Sequence, residues 1–210
     1  MTRFALLTAL LILVPRAASA GPDPADEEGF VALFDGKSFD GWKVGENADS
    51  FRIEDGKIVA NGPRAHLFYV GEVENHRFKN FHFKADVMTT PGSNSGLYFH
   101  TRYQQSGWPS AGYEVQVNQT HRDPKKSGGL YGVRDVFEAP AKDDEWYTQE
   151  IIVRGKRVIT KVNGKTLVDF TEPDDVEGDR RLSSGTFAIQ AHDPGSKVYV
   201  KNIRVKPLDD

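Results

Sequence analysis

The stretch GYEVQVNQTH, residues 112–121, opens with a strict alternation: Tyr113, Val115 and Val117 are apolar or amphipathic, and Glu114, Gln116 and Asn118 between them are polar. A period of two marks a half-buried β-strand, one face on a core and the other toward water. Outer faces of sandwich strands often show Thr, Ser or Lys. Here a carboxylate and two amides stand in a row, which raises the question of what that face holds.

The same pattern recurs along the chain. FRIEDGKIVA (51–60) places Asp55-Gly56 between two alternating runs, and VITKVNGKTLVDF (158–170) places Asn163-Gly164 likewise. Both dipeptides tolerate the positive φ angles of a tight hairpin turn. FKNFHFKADVMT, SGLYFHTRYQ, EWYTQEIIVRG, GTFAIQAH and KVYVKNIRVKPL read as further strands, and helical periods are scarce. Many strands without intervening helices predict an all-β fold, an antiparallel two-sheet β-sandwich of jelly-roll type. Trp42 and Trp146 are expected in its core.

The chain has 210 residues and no cysteine. MTRFALLTALLILVPRAASA, residues 1–20, combines an early Arg3, an apolar run from Phe4 to Val14 and the small-residue exit Ala18-Ser19-Ala20, the pattern of a secretory signal cleaved near Ala20. The apolar run is shorter than the roughly 20 residues a membrane anchor needs. Residues 21–29 read as a flexible, Pro- and acid-rich leader, and residues 30–210 as a single domain. A periplasmic or secreted protein is expected, with no stable membrane insertion. With 27 basic and 30 acidic residues scattered along the chain, the net charge of -3 offers no electrostatic grip on nucleic acid.

Splitting strands into faces nominates a site. Phe81, Phe83, Ala85 and Val87 form one dry row; Leu97, Phe99 and Thr101 a second; Phe187, Ile189 and Ala191 a third. If these strands share a sheet with residues 113–118, the opposite face carries Glu114, Gln116, Tyr98, His100, Arg102, Gln190 and His192. Trp108 and Tyr131 lie in nearby loops. Convergent hydrogen-bonding groups beside aromatic plates suit a carbohydrate, whose hydroxyls need partners and whose ring faces need a flat surface. Each residue also has a plainer reading: Glu114 as a solvated carboxylate, His192 as a turn residue, His100 and Arg102 as an exposed cross-strand ladder.

The sequence holds no Gly-rich loop opening a helix, no HExxH and no nucleophile elbow. Nor does a second carboxylate stand two or four residues from Glu114 on its strand, as an ordinary retaining glycosidase of this fold would place it. The blocks GFVALFDGKSFDGWK, SNSGLYFHTRY, GYEVQVN, GGLYG, EWYTQEIIVRGKRVITKVNGKTLVDF and GTFAIQAHDPGSKVYVKNIRVKPL, in this order and spacing, resemble the 3-keto-disaccharide hydrolase domain family. Where that family's strand often reads YFRG, this chain reads YFHT at residues 98–101. The resemblance implies a concanavalin A-like jelly roll and cleavage of glycosides oxidised to a ketone at carbon 3. That chemistry needs one base, a group to stabilise an enolate and an acid for the leaving oxygen.

Glu114 is the candidate base, and His192 and His100 are candidates for acid or enolate stabiliser. Gln116, Arg102, Tyr98, Trp108, Tyr131 and Gln190 are candidates for binding the sugar. A divalent metal is compatible with this chemistry, but the spacing identifies no ligand set. The alternative is a non-catalytic carbohydrate-binding module on the same scaffold, since lectins and glycosidases share it. A protein-binding surface would instead show apolar groups on the open face. The pattern leaves the oligomeric state open.

Overall fold

Both Gly-containing turns close hairpins. Asp55 and Gly56 have φ of 46° and 76°, Asn163 and Gly164 of 49° and 77°, the positive pair that matches the twist of two antiparallel strands. The computed structural model describes residues 27–210; the expected signal, residues 1–20, and most of the leader lie outside the described residues. The early strands are β1 (Val31–Ala32), β2 (Trp42–Val44), β3 (Phe51–Glu54), β4 (Lys57–Ala60) and β5 (Ala65–Tyr69). Longer ones follow: β6 (Phe81–Thr89), β7 (Asn94–Thr101), β8 (Tyr113–Asn118) and β9 (Tyr147–Arg154). Then come β10 (Arg157–Val162), β11 (Lys165–Thr171), β12 (Thr186–Ala191) and β13 (Val198–Pro207). Among the described residues, no helix is long and apolar enough to cross a membrane.

The strands form two antiparallel sheets. The larger runs β11-β10-β9-β6-β13-β4-β3, with β1 beside β13, and the smaller runs β2-β5-β12-β7-β8. Their facing rows make the core. Phe187 on β12 packs at 4.6 Å between ring centroids against Phe78 and against Phe83, and at 4.9 Å against Phe81. Leu97, Phe99, Val115, Val117 and Ile189 complete the inner face of the smaller sheet, all essentially excluded from water. Removing one such ring costs about 3–5 kcal/mol, because a close-packed interior cannot collapse around the hole. The smaller sheet therefore offers its other face on a rigid backing.

Two expectations are corrected. β6 belongs to the larger sheet, so the face shared by β7, β8 and β12 is completed by β5 and β2 instead. Trp146 is 36% exposed and stacks under the Lys201 ammonium at 4.1 Å, whereas Trp42 is buried and donates its indole N–H to the Leu33 carbonyl. Trp146 stands one position before the inward-facing, buried Tyr147 that opens β9, so it faces away from the core.

Candidate active site

Register brings the polar row together. Across the smaller sheet, Phe68 on β5 pairs with Ala188 on β12, Ala188 with Tyr98 on β7, and Tyr98 with Glu114 on β8. One step along, His66 pairs with Gln190, and Gly96 pairs with Gln116. These residues project from the face opposite the core. Residues 127–131 run along the free edge of β8, with Gln116 N–H donating to Gly129 and Tyr131 N–H to Glu114. That covers an edge which would otherwise present unpaired backbone groups. It also turns an open face into a cleft of about 300 Å³.

Glu114 stands at the floor of the cleft. Its Oε2 accepts the Tyr98 hydroxyl at 2.8 Å, and its Oε1 accepts Gln190 Nε2 at 3.2 Å. Gln190 Nε2 also donates to the Tyr98 oxygen at 2.9 Å, so the three side chains lock one another. Burial pushes the Glu114 carboxyl up to about 7, against the opposing pull of Tyr98, the Arg180 charge and Gln190. A carboxylate with that affinity exchanges protons near neutral pH, as a general base requires. Tyr98 is shifted far upward by burial and by the Glu114 charge, so it stays a donor.

The amides divide into two tasks. Asn118 Nδ2 donates to the carbonyls of Asp123 and Lys125, and its Oδ1 accepts the His121 N–H, which folds residues 121–125 back over β8. Gln116, Gln190 and Asn94 line the cleft, and their amide oxygens are buried without any hydrogen-bond partner. Buried acceptors are seldom left unmet, since each costs about 1–3 kcal/mol. All three amides line one cleft, and rotation of each side chain would present its oxygen to the hydroxyl donors of a ligand.

The rim adds aromatic and charged groups. Trp108, 47% exposed, has His192 at 5.6 Å and His66 at 5.6 Å between ring centroids, and the Arg64 guanidinium at 5.3 Å. Its loop is pinned by Gln104, which bonds the backbone of Ser106, Trp108 and Ser110. Tyr131 donates to Asp123 Oδ2 at 3.3 Å and carries Lys125 over its ring at 4.0 Å. Arg180 reaches across the mouth to donate to the Tyr131 carbonyl. His66, buried behind Tyr98 and Trp108, is lowered to about 4 by desolvation and by the Arg64 charge, and is neutral at working pH.

His192 forms a dyad with its neighbour: Nδ1 lies 2.6 Å from Asp193 Oδ2. Burial raises the Asp193 carboxyl, but hydrogen bonds from His192, Ser196 and the Gly195 N–H outweigh it and hold the group below the usual carboxylate range. The His121 ring lies 5.6 Å from that of His192. Ligand atoms of His121, His192 and Asp193 all fall within 4.8 Å of one another, a group that could hold a metal ion. Two imidazoles and a carboxylate match the donor preferences of divalent first-row metals.

Of the residues nominated from sequence, Glu114, Gln116, Tyr98, Gln190, His192, Trp108 and Tyr131 all line this cleft. His100 and Arg102 do not. Between Tyr98 and Thr101 strand β7 carries one more residue than β12 opposite, a β-bulge, and His100 sits there at φ 54°. The extra residue breaks the alternation and turns the imidazole inward, against Phe81 and Phe99 at 5.6 and 5.4 Å. Arg102 lies past the end of β7, exposed and paired with Asp179 at 2.6 Å. Sequence reasoning did not nominate Arg180, Asp123, Asn94, His66, His121 or Asp193. Most sit in loops without periodicity. Asn94 carried a readable signal, since it stands four residues before Tyr98 on β7 and so on the same face, whereas β5 reads Ala-His-Leu-Phe-Tyr, with apolar groups on both faces, and gave none for His66.

The family model of the 3-keto-alpha-glucoside-1,2-lyase-like domain matches residues 29–206. A protein of Bacteroides thetaiotaomicron named 3-keto-disaccharide hydrolase is 26% identical, over 89% of this chain and 81% of that protein. A crystal structure from Parabacteroides distasonis, of a candidate glycosyl hydrolase, superposes with a TM-score of 0.73 at 26% identity, covering 87% of this chain and 95% of that one. The carbohydrate-binding module CBM66 of Bacillus subtilis has a TM-score of 0.55 at 11% identity, covering 79% and 95%, which shows a shared fold and nothing more.

Proposed function

The chain belongs to the 3-keto-alpha-glucoside-1,2-lyase-like family, and from that membership we propose that its cleft cleaves the glycosidic bond of a sugar bearing a ketone at carbon 3. The observation that carries this reading is Glu114, the one carboxylate on the strand floor of the cleft, held near a neutral pKa beside three unmet acceptors, while Asp123 enters from the loop side and accepts from Tyr131. Two-carboxylate hydrolysis has no second group to use there at the strand positions that would supply it. A ketone at carbon 3 acidifies the hydrogen on carbon 2, so one base suffices.

Glu114 removes that proton, and the carbon–hydrogen electrons form an enolate whose oxygen sits toward the Arg180 guanidinium. The enolate collapses, a double bond forms between carbons 1 and 2, and the carbon 1 oxygen leaves with a proton from His192. Water then adds: its oxygen bonds carbon 1, its proton returns to His192, and Glu114 gives its proton back to carbon 2. The sum is hydrolysis. Asn94, Gln116 and Gln190 accept from sugar hydroxyls, and Trp108 and Tyr131 flank the ring. The signal read in residues 1–20 supports action outside the cytoplasm.

A second reading of the rim rests on the proximity of His121, His192 and Asp193: the three would hold a divalent cation, and His192 would then be a ligand in place of the acid. Bound there, such an ion would polarise the ketone oxygen.

Incubating the chain from Gly21 with 3-keto-glucosides and their unoxidised parents, with and without EDTA, tests both. Chromatography follows aglycone release. Cleavage of the keto substrates alone supports the elimination route, and loss with EDTA restored by manganese supports the cation. Binding of both sugars with conversion of neither overturns the enzymatic reading in favour of a carbohydrate-binding module.

A further inference from the structure

His100 and Glu172 are buried titratable side chains without a part in the chemistry above, and both hold the same segment. Residues 172–185 connect β11 to β12 and carry Arg180 to the mouth of the cleft. His100 Nδ1 accepts the Ser183 N–H at 3.1 Å, and Nε2 lies 2.9 Å from the Lys79 carbonyl. An amide can only donate and a carbonyl only accept, so the ring is neutral with its proton on Nε2. Glu172 Oε1 accepts the Leu182 N–H at 2.7 Å and the Tyr113 hydroxyl at 2.6 Å. On the other side of Arg180, the Asp179 carbonyl accepts the Gly112 N–H at 3.0 Å. The segment is therefore tied down on both flanks of one arginine. His100 also keeps a left-handed backbone, which a non-glycine residue retains only where its surroundings over-determine it.

We propose that His100 is a positioning residue: through Ser183, and with Glu172 acting through Leu182, it holds Arg180 at the cleft mouth, so the field at Glu114 is set from the core side of the sheet. It deepens the function proposed above by naming what tunes the base. Glu114 faces Tyr98 from β7, Gln190 from β12, and Arg180, Asp123 and Tyr131 from the loops. Arg180 is the cation whose charge bears on Glu114 and favours the ionised carboxylate; His192, which lines the same cleft, is the proton donor of the proposed reaction. Slackening the segment moves that charge away and makes Glu114 harder to ionise.

The test reads the Glu114 carboxyl directly, by 13C NMR titration, with the resonance assigned through its loss in Glu114→Gln. No turnover is needed, so failure of the proposed reaction leaves this inference standing, and the reverse. Arg180→Gln should raise the Glu114 midpoint by about half a unit or more. His100→Gly, which fits the left-handed backbone, should raise it in the same direction. His100→Asn, whose Oδ1 replaces the Nδ1 acceptor, should leave it near the parent value. The double variant His100→Gly/Arg180→Gln should go no higher than Arg180→Gln alone. An unmoved midpoint in His100→Gly or in Arg180→Gln overturns the proposal, as do additive shifts in the double variant. If His100→Gly does not fold, Glu172→Met probes the other anchor, with an upward shift expected and an unmoved midpoint again overturning it.

Discussion

Gly96 and Glu114 meet across the pairing of β7 and β8: a Cβ at position 96 would lie 2.2 Å from Glu114 Oε1 and 2.8 Å from its Cγ and Cδ. The glycine is there because the carboxylate occupies its side-chain space. Gly96→Ala is expected to fold, losing about 1–3 kcal/mol to overpacking. The carboxylate cannot stay between Tyr98 and Gln190, and a displacement near 1 Å costs on the order of a hundredfold in turnover. Thermal melting alongside initial rates checks this, and full activity in Gly96→Ala would show that the position of Glu114 does not matter.

Glu114→Gln should abolish turnover and keep sugar affinity within about threefold, because the amide can still accept from Tyr98. The same substitution exposes a pH effect. The folded carboxyl titrates at about 7 and the unfolded one near 4.5. Below 4.5 both states are protonated; between the two values only the folded state holds the proton; above 7 the buried charge is present and that contribution is lost. Parent stability should therefore decline as pH rises from 4.5 through 7, relative to Glu114→Gln. Denaturant titrations of both proteins across that range measure the difference, and parallel profiles would remove the raised pKa. Activity should rise through the same upper value, since the base works ionised.

Asn118 has no exposure to solvent and ties three backbone groups of the 121–125 turn. Replacing it by Ala leaves those groups to find other partners, at a cost of about 2–4 kcal/mol. The turn also presents Asp123 and His121, so cleft geometry should loosen with it. Urea denaturation and hydrogen exchange at residues 119–127 report the two effects. A loss below about 0.5 kcal/mol would mean that Lys126, which bonds the carbonyls of His121 and Asp123, holds the turn alone.

Trp108→Ala should raise KM about tenfold and leave kcat within about threefold, as expected of a ring that binds sugar in ground and transition states alike. Trp108→Phe should recover most of the loss. A fall in kcat with unchanged KM would instead move Trp108 into the chemistry, through the His192 ring beside it.

The alternation of residues 113–118 and of 185–192, together with the two Gly-containing turns, made the sandwich legible in sequence, because strand side chains obey a period of two that burial enforces. For the same reason Glu114, Tyr98, Gln116 and Gln190 could be assigned to one face before any contact was known. His100 shows where that logic ends: one extra residue in β7 reverses the parity, and no local signal announces a bulge. Arg180 and Asp123 show another limit. They enter from loops whose course is set by side-chain bonds to the backbone, from Asn118 for the 121–125 turn and from the sequence-distant His100 for the 172–185 connection, while Asn94 follows the period of β7. Sequence alone determined the fold class and the polar face, through local periodicity. Only the tertiary structure decided which groups stand around Glu114, because burial, strand register and the charge of a residue 66 positions away set its proton affinity.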